Sequence, residues 1–254
     1  EDISTSTSDG RAGDITLESR SGGIDSAASN IIANSELGNG GDITVTAARN
    51  INAGSISASG ALGGGIVLES DGDIFVDNSV IESNALGSEV GTGGDIEVRG
   101  RSLFVTRGGV ISSATSGKGD AGNINITATE AIVIDGEGSD DEPRGTLSQT
   151  RFSNAGEDLE TIQLGFSSGA FSRVEEGAEG NAGDVTIETD SLKATDGAVI
   201  FSSTFGLGNA GRVNITAEDS IVIDMAGESS FIAGIFSQVE PGAEGNAGGV
   251  TIET

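Results

Sequence analysis

Residues 177–189 read GAEGNAGDVTIET and residues 242–254 read GAEGNAGGVTIET, so thirteen letters recur with one change, Asp184 against Gly249. The second half of this stretch is a glycine, a small or polar residue, and then Ile/Val–x–Ile/Val/Leu. We call this pattern the box. It occurs eight times, beginning with GDITLE at 13–18, and successive boxes start about 28 residues apart over most of the chain. Such self-similarity indicates a repeat protein.

Each repeat holds two further short apolar runs after the box. Residues 95–122 (DIEVRGRSLFVTRGGVISSATSGKGDAG) and 184–211 (DVTIETDSLKATDGAVIFSSTFGLGNAG) align without a gap and show all three runs. Apolar and polar residues alternate within the runs, and Thr, Ile and Val dominate, which is typical of half-buried β-strands. Gly, Asn, Asp and Ser separate them and predict turns.

A run of three to six residues cannot bury its apolar face alone, but stacked repeats can. The sequence therefore predicts an all-β chain, a right-handed single-stranded parallel β-helix with three short strands per coil of about 28 residues. Ile96, Ile124, Val185 and Val213 should then lie in one interior file. We expect the box glycines to need positive φ or a close backbone approach. At the other turn positions any small residue should suffice, so the near-identity of the two thirteen-residue stretches indicates a recent duplication.

The chain, 1–254, is predicted to be a single β-helix segment, part of a longer chain. One interval between boxes is 61 residues long, and the additional residues fall within 136–173. Two interpretations stay open for this range, a protruding loop insertion or an irregular extra coil. The similarity of TLSQT (146–150) to FSQV (236–239) favours the extra coil.

The composition limits the classes of partner. Forty acidic residues oppose twelve basic ones, for a net charge of −28, which argues against nucleic acid and against anionic membrane surfaces. No apolar run is long enough for membrane insertion. The chain has no Cys, which excludes disulfides and thiolate metal sites.

The repeats GNAGDVTIET, SLKATDGAVIFSST and GNAGRVNITAEDSIVID resemble the repeat region of filamentous-haemagglutinin-like exoproteins of the two-partner secretion pathway, particularly the cyanobacterial ones. The resemblance covers nearly the whole chain. It implies a secreted, extracellular fibre, exported through an outer-membrane β-barrel transporter and displayed on the cell surface as an adhesin-like protein. The family's secretion domain, with Asn-Pro-Asn-Gly-type motifs, has no counterpart here, so no recognition residue can be transferred.

A β-helix can also carry a polysaccharide-active enzyme with paired carboxylates. The acidic residues at strand starts recur from repeat to repeat, however, and we interpret them as one capping or solubilising ladder: Asp14, Asp42, Asp73, Asp95 and Asp184. The chain has no His, Trp or Tyr, so general-base schemes and the usual sugar platforms are missing. We predict no enzyme. The Phe residues, such as Phe75, Phe104, Phe201, Phe205 and Phe236, form either packing stacks or an exposed contact stripe.

The remaining candidate chemistry is calcium binding by oxygen ligands in the acidic run 135–143, DGEGSDDEP. Its candidate ligands are Asp135, Glu137, Asp140, Asp141 and Glu142. The alternative is a solvated acidic surface that binds cations diffusely, with no cofactor.

The sequence favours a structural or adhesive repeat segment of a secreted cell-surface fibrous protein, a rod without catalysis. Its expected partners are the export transporter, other copies of the chain, and surface glycans or proteins. A different class, a self-assembling subunit of an extracellular filament or sheath, is the alternative, and a polysaccharide-active enzyme is a remote one.

Overall fold

The computed structural model describes residues 2–87, 91–136, 145–152, 159–166, 168–224 and 233–254, with the backbone alone for 145–152 and 159–166. These residues are all-β and include no helix. The strands are β1 (Ile3–Ser4), β2 (Ile15–Ser19), β3 (Ile24–Asp25), β4 (Ile31–Ile32), β5 (Ile43–Ala47), β6 (Ile51–Ala53), β7 (Ile56–Ser57), β8 (Ile66–Ser70), β9 (Ile74–Asp77), β10 (Val80–Ala85), β11 (Ile96–Thr106), β12 (Val110–Thr115), β13 (Ile124–Asp135), β14 (Gly145–Phe152), β15 (Leu159–Phe166), β16 (Ser168–Val174), β17 (Val185–Thr195), β18 (Ala198–Thr204), β19 (Val213–Asp224), β20 (Gly234–Val239) and β21 (Val250–Glu253).

Nineteen of these strands form two stacks of parallel pairs. One sheet has the order β2-β5-β8-β11-β13-β17-β19-β21, and β3, β6 and β9 form a second column of the same sheet that joins β11. The other sheet has the order β1-β4-β7-β10-β12-β16-β18-β20. Each repeat thus contributes strands to a first, a second and a third position, and we call one such set a rung. Parallel stacks of this kind are those of a β-solenoid.

The first and second positions change from two strands to one along the stack. In the early rungs they are separate, as β5 and β6 or β8 and β9. From β11 to β19 a single long strand covers both, with a register shift between Gly100 and Ser102 where β11 pairs with β13. Such a shift is a bulge, which lets one strand bend around a corner without ending. The expectation of three separate runs is thus met only in the early rungs.

The core is a file of aliphatic side chains inside the stacks. Ile96 pairs with Ile124, Ile124 with Val185, and Val185 with Val213, and all four are fully buried. The predicted interior file is confirmed. Each such side chain contributes about 1.5–3 kcal/mol through burial.

A file of serines lies beside this aliphatic core in the third-position strands. Ser113, Ser172 and Ser202 are in register and fully buried. The Ser202 hydroxyl donates to the carbonyl of Gly183 (2.9 Å) and accepts the backbone N–H of Gly211 (2.8 Å). Ser83, Ser113, Ser172 and Ser237 make the equivalent pair of bonds or close variants of it. The serines therefore satisfy buried backbone groups at the corner where the boxes begin.

Strands β14 and β15 stand apart from the stacks. They pair antiparallel with each other, from Gly145 with Phe166 to Phe152 with Leu159, as a sheet of two strands. The range 136–173 contains this pair and most of β16, which lies between β12 and β18 in the third position. Residues 137–144, 153–158 and 167 of the range lie outside the described residues.

The Phe side chains occur in two different settings. Phe171 and Phe201 stack with centroids 4.6 Å apart and are almost fully buried. Phe75 and Phe104 stack at 5.0 Å but are half-buried on the outer face of the second position. Both described pairs are therefore packing stacks, and no Phe of the described residues is among the exposed large apolar side chains.

Candidate functional site

The corner that joins a third-position strand to the next box explains the repeated letters GNAG. The Cα of Gly183 lies against the carbonyl oxygen of Gly122, its equivalent one rung earlier, and a Cβ there would overlap that oxygen. Gly208 has φ +135° and meets the carbonyl of Gly180 in the same way. At the box glycine Gly183 the expected close backbone approach is confirmed, whereas at Gly208, outside the box, the expectation that any small residue suffices is wrong. Stacked backbones approach too closely for a side chain, so glycine is required.

Between these glycines lies a ladder of side-chain amides. The Asn209 backbone N–H and its side-chain Nδ2 both donate to Asn181 Oδ1, each at 3.0 Å. Asn246 repeats the two bonds to Asn209, and Asn181 makes them to Asp120. Each rung thus supplies an acceptor for the backbone of the next, which is why the duplicated letters keep their Asn.

A second ladder, three residues further along each corner, uses the Asp that follows the box glycine. Asp14 Oδ1 accepts the backbone N–H of Asp42 (2.9 Å), and Asp42 accepts that of Gly65 (2.8 Å). Asp95, Asn123 and Asp184 do the same further along the stack. The capping interpretation of these Asp residues agrees with this geometry.

Asp73 lies at a different corner from the other four members of the expected ladder. It precedes the second-position strand β9, and its backbone N–H bonds to Asn50 Oδ1 (3.0 Å). Its carboxylate accepts two bonds from Arg101 (2.9 and 2.6 Å). The sequence pattern does not distinguish the two corners, because at both of them a Gly and an Asp precede an Ile.

Several carboxylates form ion pairs across rungs. The Arg11 guanidinium contacts Asp14 (2.6 Å) and Asp42 (2.9 Å), and together with the backbone N–H of Asp42 it lowers the pKa of Asp14. Arg107 donates two hydrogen bonds to Asp77, and Thr106 donates another (3.0 Å), so the pKa of Asp77 is also lowered, with burial opposing. These carboxylates stay charged and hold neighbouring rungs together.

The calcium candidates are only partly within the described residues. Asp135 ends β13 and pairs in register with Thr195 and Thr106. Glu137, Asp140, Asp141 and Glu142 lie outside the described residues, so the calcium hypothesis stays a prediction. Among the residues that the structure describes, no group of three or more Asp or Glu is arranged to hold a metal ion.

The two corner ladders border a groove lined by Asp95, Asp120, Asn123, Asn181 and Asp184, with glycines between them. One oxygen of each of these carboxylates is committed to a backbone N–H of the next rung. The ladders thus serve the stacking of rungs. No helix among the described residues is long and apolar enough to cross a membrane.

Comparison of the chain with protein-family models, with curated proteins and with solved structures finds no match in any of the three. Function must therefore be argued from the residues and their geometry.

Sequence reasoning missed the amide ladder and the buried serines. An Asn in a Gly-rich turn is usually interpreted as a local turn former, whereas here its partner is the Asn of the neighbouring rung. The recurrence of Asn181, Asn209 and Asn246 at one box offset was the available indication. For the buried serines, the available indication was their alternation with the buried residues Ile111 and Ile200.

Proposed function

We propose that the chain is a right-handed single-stranded parallel β-helix with coils of about 28 residues, and that it serves as a rod in a secreted, cell-surface fibrous protein. The support for the coil length is that corner side chains bond to residues 28 positions away, as for Asp14 and Asp42 or Asp184 and Arg212. The hand follows from the strong preference of parallel crossovers. Eight stacked first-position strands at about 4.8 Å make a segment on the order of 40 Å long.

The single observation that carries the rod function is the continuity of the stacks. From β2 to β21 each first-position strand pairs with the next, and the buried aliphatic file runs from Ile15 in β2 to Ile215 in β19. Such a column resists bending and extends by adding rungs. The adhesive role, export by an outer-membrane β-barrel transporter and the extracellular location come from the family resemblance, and they are part of the same proposal.

Surface labelling of cells that produce the protein tests this function. Antibodies raised against this segment should label intact cells as strongly as permeabilised ones, and protease added outside the cells should remove the epitope. A cytoplasmic protein is the control, and its antibody should label only permeabilised cells. Labelling confined to permeabilised cells would contradict the proposal.

The alternative, a self-assembling filament or sheath subunit, differs in its behaviour in vitro. It requires regular filaments of purified chain at neutral pH once salt or calcium screens the net charge of −28. Electron microscopy of the purified chain decides between the two. Monodisperse short rods under all these conditions would support the rod segment, and ordered filaments would support the alternative.

A further inference from the structure

The third-position strands carry apolar side chains on both of their faces. In β18, Ala198 and Ile200 belong to the inner core, whereas Val199 and Phe201 belong to a separate cluster. Successive side chains of a strand lie on opposite faces of the sheet. The separate cluster is therefore on the face that points away from the inner core, and we call it the outer cluster: Val110, Phe171, Val199 and Phe201.

The outer cluster is buried although it faces away from the inner core. Val199 and Phe201 are 0% exposed and Phe171 is 4% exposed. Ser203 follows on the same face of β18 and is also 0% exposed. The outward residues of β10 and β20, on either side, are only half-buried. The outer face is therefore covered across β12, β16 and β18, and less so beyond them.

The hairpin of β14 and β15 lies in the right part of the chain to form this cover. Of the described strands, only these two lie outside the stacks. They are inserted between β13 and β16, where the chain passes from the second position to the third. The same passage between β17 and β18 takes only Asp196 and Gly197. Because β15 ends at Phe166 and β16 begins at Ser168, the base of the hairpin is beside the covered sheet.

The hairpin is amphipathic in the half nearer its base. Leu147 pairs with Leu164 in the register, and paired residues share a face, as do alternate residues of one strand. One face therefore holds the apolar residues Leu147, Ile162, Leu164 and Phe166. The other face holds Thr146, Ser148, Thr161 and Gln163. A two-stranded hairpin is marginally stable in water unless its apolar face packs against another element.

The dimensions of the two surfaces agree. Three stacked strands, such as β12, β16 and β18, are about 10 Å across from the first to the last. Each strand of the hairpin has eight residues and is therefore about 27 Å long. The hairpin is long enough to cross all three strands.

We propose that the β14–β15 hairpin docks with its apolar face on the outer cluster and covers the third-position sheet from β12 to β18. The occupant of this apolar surface is a segment of the same chain and not a second copy. A bare outer cluster would offer neighbouring rods an apolar patch for association. The docked hairpin removes that patch and turns its own polar face outward. This inference goes beyond the rod function and does not depend on it.

Thiol labelling of the whole chain tests the docking, because the chain has no Cys. Ser203→Cys places a single thiol on the outer face, at a hydroxyl without a hydrogen-bond partner among the described residues. Its reaction with N-ethylmaleimide at pH 7.5 is followed by mass spectrometry. We expect slow labelling in the chain with an intact hairpin. Ile162→Asp/Leu164→Asp should accelerate it about tenfold or more, because two charges on the apolar face disfavour docking.

Thr161→Asp/Gln163→Asp is the matched control, since it adds the same charge to the polar face of the same strand. It should leave the labelling slow. A separate reporter, Ala194→Cys, places the thiol in the inner core and should stay unreactive in both hairpin variants, because the column remains folded.

Three outcomes would overturn the inference. Slow labelling at position 203 after the apolar-face substitutions would show that another segment, such as 225–232, covers the outer cluster. Equal acceleration by the two double substitutions would show that the faces of the hairpin do not differ. Loss of protection at position 194 together with position 203 would show that the hairpin is an integral part of the column and not a docked cover.

Discussion

At the scale of single residues, two adjacent glycines of one corner show how stacking acts on sequence. A Cβ on Gly64 would overlap the carbonyl of Gly41 in the preceding rung. At Gly65 the nearest atom to such a Cβ is Asp42 Oδ1, at an ordinary 3.6 Å. Other rungs carry Asp at the position of Gly65, as in Asp42 and Asp95. The first glycine is therefore a steric requirement and the second is not.

Gly64→Ala should lower the free energy of unfolding by about 2 kcal/mol, because the stacked rungs must separate to admit the methyl group. Gly65→Ala is the control and should change the free energy by less than about 0.5 kcal/mol or raise it slightly, since alanine restricts the unfolded chain. Urea unfolding followed by circular dichroism measures both. Equal effects of the two substitutions would contradict the close-approach explanation.

The Asp77–Arg107 pair gives a pH dependence of known sign. The pKa of Asp77 is lowered in the folded state, first by its hydrogen bonds from Arg107. The stability that this pair contributes is therefore fully present above the unfolded pKa of about 3.9 and is lost as pH falls through the folded value.

Asp77→Asn should lower the free energy of unfolding at pH 7 by about 0.5–1 kcal/mol, allowing for solvent screening of the exposed Arg107. The difference from the wild type should shrink as pH falls from 4 to 2. Glu69→Gln, at an exposed residue, removes one charge without breaking an ion pair and controls for the net charge. A difference that persists at pH 2 would show that the pair acts through packing instead.

At the scale of elements, the serine file connects the two sheets. Four of these serines lie in third-position strands, yet both of their bonds go to backbone at the start of first-position strands, as for Ser202 with Gly183 and Gly211; the four are Ser83, Ser172, Ser202 and Ser237. The next residue, Ser203, is equally buried, but its hydroxyl has no hydrogen-bond partner within the described part of the chain. Two neighbouring serines of one strand thus differ in what they do.

Ser202→Ala should lower the free energy of unfolding by about 1–3 kcal/mol, because it leaves a buried N–H and a buried carbonyl unpaired. Ser203→Ala should leave it unchanged or raise it, because a buried hydroxyl without a partner is removed. Both variants can be compared by denaturant titration. If Ser202→Ala left the free energy of unfolding unchanged, water or a shifted backbone would have to pair with the Gly211 N–H and the Gly183 carbonyl.

The elements also show which features of the fold could be predicted from the sequence. Alternation predicted which residues face inward, and the interior file of Ile96 and its equivalents is confirmed because facing depends on local period alone. The union of first and second positions in β11 was not predictable, since it depends on a bulge at Gly100 among polar residues. The amide ladder and the polar groove depend on partners in other rungs, which no local pattern reveals.

At the scale of the whole molecule, charge opposes association. The net charge is −28, and within the part of the chain that the structure describes seven basic side chains form ion pairs with carboxylates: Arg11, Arg20, Arg99, Arg101, Arg107, Arg173 and Lys118. The remaining surface is strongly negative. Neighbouring copies should repel each other at neutral pH and low salt.

The chain should therefore be monomeric at pH 7.5 in low salt and should associate as pH approaches its isoelectric point of about 4.1. Protonation of Asp and Glu removes the repulsion in this range. Sedimentation velocity across pH 7.5 to 4 measures the change. Stable oligomers at pH 7.5 in low salt would show that a specific interface outweighs the repulsion.

The amide ladder has a mechanical consequence. From Asp120 to Asn246 each rung holds the next through bonds that run along the column, so a force applied to the two ends of the polypeptide loads one interface at a time and peels these rungs apart. Freeing the chain between stacked partners such as Asn181 and Asn209, 28 residues apart, releases on the order of 90 Å of extended chain. Stretched by optical tweezers, the protein should lengthen in a staircase of such steps, each at modest tension.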